Sequence, residues 1–210
     1  MILIDLNQVL ISNLMAQTRG KPENMPNKEM IRHMVINSIR GFNLKFKSQY
    51  GDNIVLCADA GEPWRRDVFP NYKHARRKGR TESATDWDNI FKCITEIKHE
   101  IAENFPYVMM YVEKAEADDI IGTLVFNHGN RPILIISGGK DFIQLQSNPN
   151  VKQWAPIQKT FIGEGIDPKK FLHEQIIKGD RSDGIPNILS PDDIFLTKEK
   201  QRPINKKRLE

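Results

Sequence analysis

In this sequence four apolar runs each deliver the chain to an acid. ILI ends at Asp5, IVLCA at Asp59, YVMMYV runs on through EKAEADD to Glu116, Asp118 and Asp119, and ILIIS leads to Asp141. Runs this short, separated by longer stretches whose apolar residues recur three and four apart, describe strands alternating with helices. That is the pattern of an α/β fold with a mostly parallel central sheet flanked by helices. In open sheets of this kind, ligands bind outside the C-terminal strand ends. The sequence therefore predicts that its acids collect along one edge.

Residues 1–4, 54–57, 107–112 and 132–136 read as buried strands, with 151–154 a weaker strand. Helical spacing marks 28–50 through Met30, Ile31, Met34, Val35, Ile39, Phe42 and Phe46. It also marks 86–105, with Thr85 as N-cap and Trp87, Ile90, Phe91, Ile94, Ile97 and Ile101 on one face. Residues 117–127 form a third helix, and 167–178 a fourth that begins at Asp167 and Pro168. The expected organisation is an α/β core over 1–165 with an insertion at about 64–88, then a small second module over 166–210. That module reads as truncated, because the chain stops just as a further helix begins at Pro203.

At 210 residues and 39% hydrophobic content, the chain suits one domain plus an appendage. Cys57 and Cys93 are too far apart for a CxxC pair and sit among apolar neighbours, which argues against a disulfide framework or a zinc site. The N-terminus lacks the layout of a secretion signal, and no stretch approaches bilayer length. A reducing, cytoplasmic setting without membrane contact is expected.

The net charge of +4 matters less than its distribution. Residues 64–80, WRRDVFPNYKHARRKGR, hold seven Lys/Arg against the single acid Asp67, with Trp64, Phe69 and Tyr72 interleaved. A charge run is usually a solvated loop; beside an acidic edge and with aromatics among the cations, this one reads as a nucleic-acid surface. Lys73 and Arg76, three apart, are spaced to project from one helical face.

Taken singly, an Asp between a strand and a helix reads more readily as an N-cap or first-turn charge. Taken together, the acids would repel one another severely unless cations neutralised them, and all-oxygen donors suit Mg²⁺ or Mn²⁺. Glu116 and Asp118 are placed to face such a pocket, while Asp119 caps the helix or holds a basic partner. Two ions about 4 Å apart supply both an activated water and stabilisation of a leaving phosphodiester oxygen. Hydrolysis then needs no protein nucleophile, and the chain shows no nucleophile elbow, Cys/His pair or P-loop. His33 and His74 show no ligand spacing. Later in the chain, GDRSDGIPN reads as a tight turn between two helical segments, flanked by Asp180 and Asp183. Its backbone amides suit a phosphate, and Asp183 is placed to turn back towards the metals.

In order, ILIDLNQ, VLCADAGEPWRRD, YKHARRKGR, EADD, LIISGGKDFIQL, VKQWAP and KGDRSDGIPN resemble the 5′-nuclease family. That family includes flap endonucleases, the 5′-exonuclease domains of bacterial DNA polymerases and the RNase H of tailed phages. The resemblance spans nearly the whole chain. It implies a PIN-like sheet, a helical arch above the site and a helix-three-turn-helix module that holds duplex DNA. It makes Asp5, Asp59, Glu116, Asp118, Asp141 and Asp183 the metal-pocket acids, with Asp119 and Asp180 close by. Lys73 and Arg76 become the arch residues on the reacting phosphate. The nucleic-acid surface is then Arg65, Arg66, Tyr72, Lys73, Arg76, Arg77, Lys78 and Arg80, with Gly184 and Ile185 of the hairpin.

The expected function is that of a structure-specific, metal-dependent 5′ nuclease using two Mg²⁺, with Mn²⁺ able to substitute. It would remove RNA primers and 5′ flaps from DNA and RNA–DNA hybrids, alongside replication proteins such as a single-strand-binding protein, in the host cytoplasm if phage-encoded. Two departures from the family stand out. Gly139 occupies a place where the family has another aspartate, either by natural divergence or by an introduced change, and predicts reduced cleavage with metal and DNA still bound. The early end predicts a weaker grip on duplex DNA. A PIN-type endoribonuclease is the rival enzyme, but lacks the basic segment and the hairpin. A non-catalytic DNA-binding accessory protein is the rival outside enzymes, and metal-dependent cleavage of a 5′-flap substrate separates it.

Overall fold

Residues 2–5 alternate their side chains between two hydrophobic layers, which is why the strand is apolar throughout. In the computed structural model, which describes residues 1–18, 27–197 and 199–205, Ile2 and Ile4 face one core and Leu3 the other. The same alternation puts Ile54, Leu56, Leu134 and Ile136 with the first layer, and Val55, Cys57, Ile133 and Ile135 with the second.

The strands are β1 (Ile2–Asp5), β2 (Ile54–Cys57), β3 (Val108–Met110), β4 (Ile133–Ile136), β5 (Val151–Ala155) and β6 (Thr160–Ile162). They form one sheet in the order β3-β2-β1-β4-β5-β6, parallel except for the β5–β6 pair. The chain winds outward both ways from β1. The boundary between β1 and β4 is thus the switch point where the strand ends open a crevice. Cys57 and Cys93 are buried free thiols.

Helices α1 (Leu6–Gln17), α2 (Lys28–Tyr50), α3 (Arg65–Val68), α4 (His74–Thr81), α5 (Trp87–Asn104), α6 (Ala117–Asn127) and α7 (Pro168–Lys178) join the strands, with a 3₁₀ helix over Lys140–Ser147. Buried residues of α1, α2 and α5 build the first core; those of α6 and the 3₁₀ helix build the second. Among the described residues no helix is long and apolar enough to cross a membrane.

Several expectations change. Asp86, not Thr85, caps α5, its carboxylate accepting from Asn89 N at 3.0 Å; an Asp placed one residue later satisfies the first-turn amide directly. The strand expected over 107–112 shrinks to β3, since Val112 and Ala115 close a turn in the loop towards α6. The 64–80 segment supplies α3 and α4. Only α7 flanks the GDRSDGIPN hairpin as a regular helix among the described residues, where two helical segments were expected. Beyond Asn187 the chain runs through short turns, and Asn187 ties them by accepting from Leu189 N and Ser190 Oγ. The helix expected at Pro203 falls mostly outside the described residues; Pro203 to Asn205 are not helical.

Candidate active site

Asp5 ends β1 and caps α1: Oδ1 accepts from Gln8 N at 3.0 Å, and Oδ2 from Ser137 Oγ at 3.0 Å. Burial pushes its pKa up to about 6 in spite of those bonds. Asp59 follows β2 and is held by Ala117 N at 2.8 Å and Asn7 Nδ2 at 2.6 Å.

The EADD run forms the start of α6. Glu116 and Asp119 make a capping box, and Asp119 also takes both guanidinium nitrogens of Arg65 at 2.8 Å. Burial works against the Asp119 charge, but the hydrogen bonds from Arg65, the Glu116 amide and Trp64 together with the Arg65 charge outweigh it and hold its pKa below the usual range. Both structural roles foreseen for Asp119 are therefore filled. Glu116 sits behind the pocket, accepting from Lys73 Nζ at 2.6 Å, Tyr72 Oη at 2.7 Å and Arg65 at 3.2 Å.

Asp118 differs from its neighbours. Among the described residues its carboxylate has no hydrogen-bond or ion-pair partner, and burial, then the charge of Asp5, raises its pKa to about 7. Asp141, in the first turn of the 3₁₀ helix, is raised by burial and then by Asp180 and Asp183. Asp180 folds onto its own loop, accepting from Ser182 N at 2.7 Å and Asp183 N at 3.2 Å. Asp183 receives Tyr72 Oη at 3.2 Å, and Arg76 Nη2 approaches its Oδ1 to 2.6 Å as an ion pair without hydrogen-bond alignment.

The fold brings Asp5, Asp118, Asp141, Asp180 and Asp183 to one cavity of about 720 Å³, with Gly139, Lys73 and Arg76 also on its wall. Asp59 lies off this cavity, beside a smaller recess of about 240 Å³ that contains Lys98. Lys98 Nζ donates to the Asp59 carbonyl at 3.3 Å.

Of the basic segment, Arg65 is committed to Asp119. Arg66 pairs with Glu62, Arg77 donates to the carbonyls of Tyr72 and Pro70, and Arg80 lies over the rings of Trp87 and Phe91. Lys78 projects beside Glu82 at the surface. Tyr72 is buried, so its ring as placed offers no stacking face. In the hairpin, the φ of +75° at Gly184 lets the turn pass Asn71, whose carbonyl a Cβ would meet at 2.9 Å, and Ile185 stays partly exposed.

The donor set fits hard divalent cations: it is all oxygen, and the carboxylates of Asp118, partly buried, and Asp141, exposed, have no cationic hydrogen-bond partner among the described residues. As placed, no three His, Cys, Asp or Glu side chains among the described residues gather around one point. Lys73, Arg76 and Arg65 hold Glu116, Asp183 and Asp119 by Coulomb attraction, which leaves those carboxylates turned towards protein cations.

Sequence reasoning missed the side chains that hold the acids: Asn7 on Asp59, Gln8 on the Gly138 amide and Ser137 on Asp5. Their signal was position, since each lies within three residues of a strand end.

A doubly wound sheet with acids at its switch point and a basic helical segment over them is the PIN-like α/β class. The chain belongs to the 5′-3′ exonuclease N-terminal resolvase-like domain family, which matches residues 1–175. It is 36% identical over 207 residues to ribonuclease H of Enterobacteria phage T4, covering 93% of this chain and 65% of that protein. A 5′-3′ exonuclease of Mycobacterium tuberculosis is 22% identical over 184 residues, covering 73% of this chain and 57% of that one. The chain thus spans less than two thirds of either relative. The fold is shared with a T5 protein co-crystallised with metal ions, at TM-score 0.72 and 15% identity over 90% of this chain and 70% of the other. A T5 flap endonuclease in a pseudo-enzyme-product complex with DNA and metal ions also matches, at TM-score 0.72 and 14% identity over 90% and 70%.

Proposed function

We propose that this chain is the nuclease portion of a structure-specific, divalent-metal-dependent 5′ nuclease that removes RNA primers and 5′ flaps from DNA and RNA–DNA hybrids during replication. The observation that carries the reading is Asp118: a partly buried carboxylate without a partner among the described residues, in a cavity it lines together with Asp5, Asp141, Asp183, Lys73 and Arg76.

Asp5, Asp59, Glu116, Asp118, Asp141 and Asp183 would hold two Mg²⁺, or Mn²⁺ in their place. When bound, the ions supply an activated water and stabilise the leaving oxygen. Asn7, Gln8 and Ser137 keep Asp59, the 137–139 loop and Asp5 in place. A substrate phosphate at the cavity mouth competes with Glu116 and Asp183 for Lys73 and Arg76, so these two cations are placed to move from carboxylate to phosphate and neutralise the reacting group. Gly184 and Ile185 present hairpin backbone to duplex DNA, and the exposed cations of residues 64–80 meet a 5′ strand. A single-strand-binding protein is the fitting replication partner, and the cytoplasm, that of the host if the chain is phage-encoded, the fitting location.

Gly139 places no carboxylate on the cavity wall, so cleavage is weaker than with an aspartate there, while metal and DNA still bind. A labelled 5′-flap substrate incubated with Mg²⁺ tests the reading. Cleavage that EDTA and Asp118→Asn both abolish supports it; retention of the substrate with no product under any metal makes the chain an accessory DNA-binding protein instead.

A further inference from the structure

We propose that Gln153 is the positioning residue of the acidic edge: from inside the sheet it fixes the loop over residues 137–139 and, through Ser137, the carboxylate of Asp5. Gln153 lies in β5 opposite Ile135 of β4, with 0% of its surface exposed. A glutamine buried in a strand is costly unless every polar atom is bonded. Its Nε2 donates to Ser137 O at 2.8 Å and Gly139 O at 2.6 Å, the two carbonyls where the chain leaves β4. Its Oε1 accepts from Gln146 of the 3₁₀ helix at 3.4 Å, so one side chain ties the loop to the element that carries Asp141.

The loop passes this constraint on. Gly139 N donates to Ser137 Oγ at 3.1 Å, and that hydroxyl donates to Asp5 Oδ2 at 3.0 Å. Across the crevice Gly138 N donates to Gln8 Oε1 at 2.6 Å. With an apolar residue at 153, two buried carbonyls lose this donor and the loop loses its side-chain tie to β5. Asp5 would keep its cap on α1 but not its orientation to the cavity.

The inference rests on the nuclease reading for what the acids bind, and not for how the loop is held. Its test uses Gln153→Met, nearly the same shape without donors, and Ser137→Ala, which removes one hydroxyl. Ile101→Val, a core change remote from the loop, reports the effect of lost stability alone. Each is measured on the full chain well below its melting temperature, for Mn²⁺ affinity by calorimetry and for amide exchange at Gly138 and Gly139 by NMR. Gln153→Met should weaken Mn²⁺ binding about 10-fold or more, in line with the usual loss when a ligand's supporting partner is removed. It should also speed exchange at both glycines. Ser137→Ala should weaken Mn²⁺ binding comparably, and the double variant should lose little more than the worse single one, because both act on the same loop and reach the cavity through the same Asp5 carboxylate. Ile101→Val should lower only the melting temperature.

Wild-type Mn²⁺ affinity and exchange in Gln153→Met, or additive losses in the double variant, would overturn the assignment. Should Gln153→Met fail to fold, wild-type affinity in Ser137→Ala overturns it equally. If the unmodified chain takes up no Mn²⁺, the nuclease reading fails, and glycine exchange in Gln153→Met alone decides whether Gln153 holds the loop.

Discussion

Lys73 Nζ donates to Glu116 Oε1 at 2.6 Å, across 43 residues of sequence, from a backbone in the left-handed region with φ at +54°. A lysine held this way is placed by its fold rather than by a helix, since Lys73 stands just before α4 and its amide donates to Asp183 O at 2.7 Å. The residue joins the basic segment, the start of α6 and the hairpin.

Replacing Lys73 with alanine should therefore separate chemistry from grip. Loss of one preorganised cation at a reacting phosphate is worth on the order of 100-fold in rate. Duplex affinity should change far less, because it draws on many phosphate contacts. Single-turnover cleavage of a 5′-flap substrate, set beside its binding by fluorescence anisotropy, checks this. Equal losses in both would mean that Lys73 is one more backbone contact.

The raised carboxylates of Asp118, at about 7, and Asp5, at about 6, give a pH dependence of unusual sign. Both bind a proton more tightly when folded than when unfolded, so stability falls as pH rises from about 4 through 7 and is level beyond. Every tenfold gain in proton affinity on folding corresponds to about 1.4 kcal/mol. Acids with lowered values, such as Asp119 and Asp180, contribute in the opposite direction only below their ordinary range, while His128 and the Met1 amine, lowered first by burial, oppose the slope inside the window with smaller shifts. In EDTA the melting temperature should drop by several degrees between pH 5 and pH 8. Saturating Mg²⁺ should flatten that slope, because the ion takes the place of the proton. Melting curves over pH with and without Mg²⁺ test this, and a metal-free chain that grows more stable with pH would contradict it.

The hairpin rests on a single backbone conformation at Gly179. With φ at +66°, a Cβ there would lie 2.4 Å from both Ile185 O and Pro186 O, which are backbone atoms that cannot swing aside. Asp180 N donates to Ile185 O at 2.9 Å and Ile185 N returns the bond to Asp180 O at 2.8 Å, so displacing the Ile185 carbonyl opens the bridge. Gly179→Ala should cost at least about 1–3 kcal/mol and weaken duplex binding several-fold, while cleavage of a short single-stranded 5′ end suffers less. Melting and anisotropy measurements on that variant decide it.

What the sequence displayed and what it hid follow one physical division. Acids at strand ends were visible because an apolar run that stops at Asp needs only local pattern to be read; Asp5, Asp118 and Asp141 line one cavity, while Asp59 lies off it. Helix α1 was hidden because LNQVLISNLMAQ follows ILID without a break, so its buried Leu6, Val9, Leu10 and Leu14 merge with the strand. β5 read weakly because Gln153 interrupts its apolar pattern, although that glutamine is buried. β6 gave no signal, since Phe161 is held there by packing on Trp154 and Phe46, both distant in sequence or on another strand. The pairing of Lys73 and Arg76 with Glu116 and Asp183 is long-range Coulomb attraction, which spacing along the chain does not encode.

Gly139 is where an added carboxylate should change function most. Its backbone, φ −63° and ψ 128°, is one that any residue adopts, and it caps the 3₁₀ helix without a side-chain hydrogen bond. A Cβ there would approach Phe142 at 3.3 Å and Ser137 Oγ at 3.4 Å, so Gly139→Asp needs the phenyl ring to yield by a few tenths of an ångström. Without metal, the new carboxylate joins Asp5, Asp118 and Asp141 and should lower the melting temperature by like-charge repulsion. With Mg²⁺ it becomes a further oxygen donor, so the melting temperature should recover and 5′-flap hydrolysis should rise about 10-fold or more. The two arms must reverse sign with the metal. A Gly139→Asp rate equal to that of the unmodified chain in Mg²⁺ would show that the aspartate is dispensable and that this pocket works with the acids it has.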